Sequence, residues 1–135
     1  MTLAQFIDLP DHGDARGGLV AIEGERTVPF PIRRVYYLHG LLPDRHRGFH
    51  AHYQLRQLLV CVAGSCTVLL DDGRSRERVS LASPTRGLFV GTMLWHEMCD
   101  FTTDCVLLVL ASEPFSEDDY VRNYDAFLAA VGSGT

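Results

Sequence analysis

The sequence predicts an all-β sandwich or barrel with one short C-terminal helix. Short apolar segments alternate with turn residues about every ten positions, the rhythm of such folds. Asp72-Gly73 and Gly64 each separate two apolar segments in the manner of hairpin turns. Helical spacing is convincing in one place only, after Ser116.

Nine segments read as strands: 18–23, 32–38, 47–53, 57–63, 65–70, 77–81, 87–90, 96–100 and 105–111. Pro84 and Gly87 punctuate the connection before the seventh. The helix is expected to start at Ser116 as N-cap, with Glu117, Asp118 and Asp119 suiting the positive end of its dipole. Tyr120, Tyr124, Phe127 and Leu128 then form an apolar stripe expected to pack on the sheets, and Gly132 ends the helix.

With 135 residues and 47% hydrophobic content, a single domain over 1–135 with one core is expected. The net charge is −5 and all 12 basic residues are arginine. Such a chain lacks the dense basic surface that nucleic-acid polymers require. A few arginines still suit one nucleotide diphosphate, because guanidinium contacts phosphate in a bidentate way. The first ten residues lack a basic n-region, and no apolar run approaches the roughly 20 residues that span a bilayer. Cys61, Cys66, Cys99 and Cys105 have no CxxC spacing and sit in apolar surroundings. They read as buried reduced thiols, so a cytoplasmic location without a disulfide framework or membrane association is expected.

The chemistry concentrates in Arg47-Gly48-Phe49-His50-Ala51-His52. Residues two apart on a strand share a face, so His50 and His52 project side by side. A third histidine, His96, lies far along the chain. The spacing through Gln57, Gly64, Gly87 and His96 resembles the two-part cupin pattern, a jelly-roll β-barrel in which such residues converge. Metal-binding cupins carry Glu where this chain has Gln57. A neutral amide is a weak ligand, which moves the histidines from metal binding towards acid–base work. An unperturbed imidazole pKa of about 6.5 suits that work. Gln57 is then expected to orient substrate or a histidine.

Arg47 lies three residues before His50, so a regular strand points it the other way; Gly48 permits a bulge that re-aims it. Strand parity groups Arg34 with Tyr36 and Arg33 with Tyr37. We assign Arg34 and Tyr36 inward and keep Tyr37 as the alternative catalytic hydroxyl. Arg16, in a turn before the first segment, reads on its own as solvated.

Several segments together resemble the dTDP-4-keto-6-deoxyglucose 3,4-ketoisomerases. They are Arg16-Gly17-Gly18-Leu19, Ile32-Arg33-Arg34-Val35-Tyr36-Tyr37, the His50 segment, Gln57-Leu58-Leu59-Val60-Cys61 and Trp95-His96-Glu97-Met98. The resemblance runs over about residues 15 to 128. It implies a homodimer with exchanged strands and catalysis without metal or organic cofactor on a dTDP-linked keto-sugar. It further implies His50 as general base, His52 with Tyr36 or Tyr37 as proton carriers, and Arg16, Arg34, Arg47, Gln57 and His96 as substrate-binding residues. In some members that form galacto products, an Arg before the first strand pairs with a His at the position of His96. Arg16 and His96 therefore imply dTDP-3-keto-6-deoxygalactose as product, a precursor for 3-amino-sugars. Nucleotide-sugar 3,5-epimerases and metal-dependent cupins are the alternatives.

Overall fold

The computed structural model describes residues 2–132, which form two five-stranded antiparallel sheets. The first has the order β1 (Gln5–Asp8), β7 (Arg86–Val90), β4 (Gln57–Ala63), β9 (Val106–Ala111), β2 (Arg34–Leu38). The second has the order β10 (Tyr120–Val121), β3 (Arg47–His52), β8 (Trp95–Cys99), β5 (Cys66–Asp71), β6 (Arg76–Leu81). Among the described residues no strand pairs across the two sheets, so the expected barrel is instead an open, jelly-roll-like sandwich. The unpaired connection 39–46 carries the chain from β2 in one sheet to β3 in the other.

Strand periodicity explains the layers. The inward residues of β4, β5, β7 and β9, among them Leu59, Val68, Leu88 and Val109, meet between the sheets in the main core. Leu58, Val60 and Leu110 face the other way, where Leu9, Val28 and Phe30 from the N-terminal segment cover them. That cover explains why β4 reads as a continuous apolar run. On the second sheet, Ala51, Trp95 and Val121 pack with Phe127 of α1 (Tyr124–Gly132).

Three expectations change. Segment 18–23 forms no strand; Val20 makes only an isolated bridge with Asp11, and Val20 and Ile22 serve the outer apolar layer. Gln5–Asp8, which had no assignment, pairs with β7. The helix begins later than Ser116, whose side chain makes no cap hydrogen bond. Glu117–Asp119 is one 3-10 turn, and Tyr120 and Val121 pair with His52 and Ala51 of β3. Asn123 is the better cap: its side-chain oxygen accepts from the Ala126 N–H at 2.9 Å. Tyr120 consequently belongs to a strand and not to the helical stripe.

Candidate active site

The β3–β8 ladder shifts register between Gly48 and His50, and both Gly48 (φ 94°) and Phe49 (φ 62°) take left-handed backbone. At Gly48 a Cβ would meet the His96 carbonyl oxygen at 2.8 Å, so only glycine fits. The bulge does what the sequence suggested. Arg47 and His50 both line one cavity of about 330 Å³, with Arg34, Tyr36, Leu38, Met98, Phe115, Tyr120 and Arg122.

Behind this lining lie His52 and His96, each about 2% exposed or less, together with buried Gln57. The His50 ring is 4.8 Å from His52 and 4.7 Å from His96, centroid to centroid. His50 Nδ1–H donates to the Gly48 carbonyl at 3.1 Å, and His96 Nδ1–H donates to the Leu94 carbonyl at 3.0 Å. Each therefore keeps Nε2 as a lone-pair nitrogen. Burial, reinforced by the neighbouring His96, holds both His50 and His52 down to about 3. Burial also lowers His96. The trio is thus neutral at pH 7.

Of the two tyrosines of β2, Tyr36 is the one that lines the cavity. Its oxygen accepts from Gln57 Nε2 at 2.8 Å, leaving the phenolic proton free to be donated. Burial, aided by Tyr120, raises its pKa, so the phenol stays protonated. Gln57 is thus hydrogen-bonded to Tyr36 and is not among the residues that line the cavity. The Arg34 guanidinium lies 5.0 Å over the Tyr36 ring and 5.7 Å from that of Phe115. Among the described residues Arg34 and Arg47 have no ion pair, and Arg34 Nε is buried without a hydrogen-bond partner. Arg122 differs, since Glu117 pairs with it at 2.7 Å.

Two expected site residues stand elsewhere. Tyr37 is 62% exposed on the outer face of β2, as strand parity requires once Tyr36 points inward. Arg16 lines a different surface hollow with His12 and Asp14 and pairs with the Asp14 carboxylate, so within one chain it does not meet the histidines. Conversely, the structure adds Tyr120 and Arg122. The Tyr120 ring packs edge-on to His52 at 4.3 Å and to His50 at 5.1 Å. The signal for these two was Asn123: an N-cap there starts the helix late and leaves Tyr120-Val121-Arg122 outside it, with Tyr120 and Val121 free to alternate as a strand.

The three imidazoles offer ring nitrogens within 4.8 Å of one another, close enough to ligate a cation. Among the described residues no carboxylate joins that group, and Gln57 stands where metal-binding cupins carry Glu. Neutral imidazoles, a protonated phenol and unpaired arginines around one cavity define an acid–base enzyme for an anionic small molecule.

Comparison with known proteins agrees with that class. Residues 2–132 match the family described as FdtA: WxcM-like, C-terminal. The TDP-4-oxo-6-deoxy-alpha-D-glucose-3,4-oxoisomerase of Aneurinibacillus thermoaerophilus is 54% identical over 114 residues, covering 84% of this chain and 82% of that protein. The Thermoanaerobacterium thermosaccharolyticum 3,4-ketoisomerase QdtA superposes with a TM-score of 0.96 at 40% identity, over 98% of this chain and 97% of that one. That structure is a histidine-to-asparagine mutant in complex with TDP-4-keto-6-deoxyglucose. The Campylobacter jejuni TDP-quinovose 3,4-ketoisomerase WlaRB gives a TM-score of 0.90 at 41% identity, over 96% and 99% of the two chains. The chain belongs to this family and is an isomerase of the sugar 3,4-ketoisomerase class.

Proposed function

We propose that the chain moves the carbonyl of dTDP-4-keto-6-deoxyglucose from C4 to C3, with His50 as the base. The observation that carries this is the His50 side chain in the cavity wall, its Nδ1–H fixed on the Gly48 carbonyl and its Nε2 left basic. The C4 ketone acidifies the C3 hydrogen. His50 takes that proton, and the C3–H electrons form the C3=C4 bond of an enediolate. Tyr36, with His52 behind the lining, passes a proton from the C3 oxygen to the C4 oxygen. His50 returns its proton to C4 as the C3 carbonyl forms. C3 is oxidised and C4 reduced by equal amounts, so the atoms and electrons balance without any added oxidant.

Arg34 and Arg47 suit the diphosphate, since neither is neutralised by a carboxylate among the described residues. His96 lies next to His50 and belongs with the groups that set how the sugar is held. The product assigned is dTDP-3-keto-6-deoxygalactose, for use in 3-amino-sugar synthesis. Incubation with dTDP-4-keto-6-deoxyglucose and proton NMR of the product tests this. A C3 carbonyl with axial C4 oxygen is expected; inversion at C5 would make the chain an epimerase, and no turnover would end the proposal.

We further propose that it works as a single-domain homodimer in the cytoplasm. Exposed Val35 and Tyr37 on the edge strand β2 support an interface, and β1, at four residues, is a short edge strand of the kind that subunits exchange. Reaching Arg16 from a partner's cavity would also need such a dimer. The four free buried cysteines fit a reducing compartment, and no helix among the described residues is long and apolar enough to cross a membrane. Light scattering on the purified chain tests the dimer.

A further inference from the structure

His52 differs from its two neighbours in one respect. His50 and His96 each have Nδ1 fixed by the carbonyl two residues earlier, Gly48 and Leu94 respectively. His52 has no such bond, and both of its ring nitrogens are buried without a hydrogen-bond partner. A buried imidazole with neither nitrogen fixed has no defined tautomer, and a proton carrier needs one. The Asp119 carboxylate is close by: its Oδ2 lies 3.7 Å from His52 Nδ1.

Asp119 is itself held firmly. Its Oδ1 accepts from the Gln54 N–H at 2.8 Å, its Oδ2 accepts from the Leu55 N–H at 3.1 Å, and its carbonyl accepts from the Tyr53 N–H at 3.1 Å. The next residue, Tyr120, stands opposite His52 in the β10–β3 ladder and lays its ring 4.3 Å from the imidazole. Two consecutive residues thus address one histidine: a carboxylate at Nδ1 and an aromatic wall at the ring. The 3-10 turn Glu117–Asp119 and the short strand after it are the elements that deliver both.

We propose that Asp119 is a positioning residue that sets the tautomer of His52. A closure of under about 1 Å makes a His52 Nδ1–H donor to Asp119, which leaves Nε2 as the nitrogen offered to the His50–His96 cluster. This rests on the reading of His52 as a proton carrier. Asp119 is not among the residues that line the His50 cavity, and its route to the chemistry is through His52.

Two measurements test it. In nitrogen-15 NMR of the wild-type chain at pH 7, His52 should show a protonated Nδ1 and a bare Nε2. The opposite pattern overturns the proposal whether or not the chain isomerises any sugar, so its failure is distinct from failure of the proposed reaction. Asp119→Asn should then lower kcat about 10- to 100-fold on dTDP-4-keto-6-deoxyglucose with KM within about threefold, and mix the His52 tautomers. Asp119→Ser keeps an acceptor for the backbone N–H groups but is too short to reach His52, and should match Asp119→Asn. Native kcat in either variant overturns the proposal. If both variants unfold, the wild-type tautomer decides alone.

Discussion

Replacing His50 by asparagine separates a basic residue from a binding one. Asparagine keeps an N–H that can serve the Gly48 carbonyl, now bonded at 3.1 Å, so the bulge should survive. What disappears is the lone pair of Nε2. A positioned base contributes about 10²- to 10⁴-fold, or roughly 3 to 5 kcal/mol at about 1.4 kcal/mol per decade. The ring contacts with His52, His96 and Tyr120 at 4.8, 4.7 and 5.1 Å are lost too. Their loss should cost about 1 kcal/mol of stability, the ordinary scale for one substitution. The assay is product formation from dTDP-4-keto-6-deoxyglucose by proton NMR, with calorimetric titration of dTDP beside it. Turnover should fall by at least a hundredfold while dTDP affinity stays within about threefold. A folded variant with turnover within tenfold of wild type would refute the base assignment. Equal losses in turnover and dTDP affinity would make His50 a binding residue.

The remaining expectations are as specific. The unfolded chain's histidines titrate near 6.5 while His50 and His52 are held at about 3, so the unfolded state binds more protons between those values. Stability should therefore be complete above about pH 6.5 and fall as pH drops towards 3; a flat thermal midpoint between pH 7 and 4 would contradict this. Tyr36→Phe should cut kcat at least tenfold and Tyr37→Phe should leave it within about twofold, because Tyr36 lines the cavity and Tyr37 does not; equal effects would refute the inward face chosen for β2. Gly48→Ala forces a side chain to φ 94° with its Cβ at 2.8 Å from a backbone oxygen, and should cost about 1 to 3 kcal/mol by denaturant unfolding together with most activity. Turnover should survive a strong chelator; loss of activity together with a stoichiometric bound metal would reassign the imidazole trio to ligation.

The features visible in the sequence are those that depend on short periods. Arg34 and Tyr36 share the inner face of β2, and His50 with His52 share that of β3, because strand parity is a local rule. The bulge at Gly48 was legible for the same reason: a glycine stood where the parity of Arg47 had to change. Non-local choices were less visible. Val20 and Ile22 alternate like a strand, yet their apolar side chains cover a sheet instead of pairing within one. Ser116 and Asn123 compete as helix caps seven residues apart, and the choice is made by β3, which recruits Tyr120 and Val121 as a strand. Arg16 falls in the resemblance but outside the cavity of a single chain, so any role there needs a second subunit.

The low proton affinity of His50 is at first sight poor equipment for a base, since proton abstraction weakens as the base's pKa falls far below working pH. Its causes point to the remedy. Burial and His96 come first, but the positive charge of Arg122 also lowers His50, and those of Arg34 and Arg122 lower His52. These arginines line the cavity that the proposed substrate enters. A diphosphate seated on Arg34 and Arg47 offsets the Arg34 charge, and an enediolate forming beside His50 attracts an imidazolium directly. The Arg34 charge thus adds to the burial that keeps His52 neutral before the substrate arrives, and opposes its protonation less once a diphosphate is bound. The site is thereby expected to be a stronger base when loaded than when empty, with burial still the largest influence on His50 and His52.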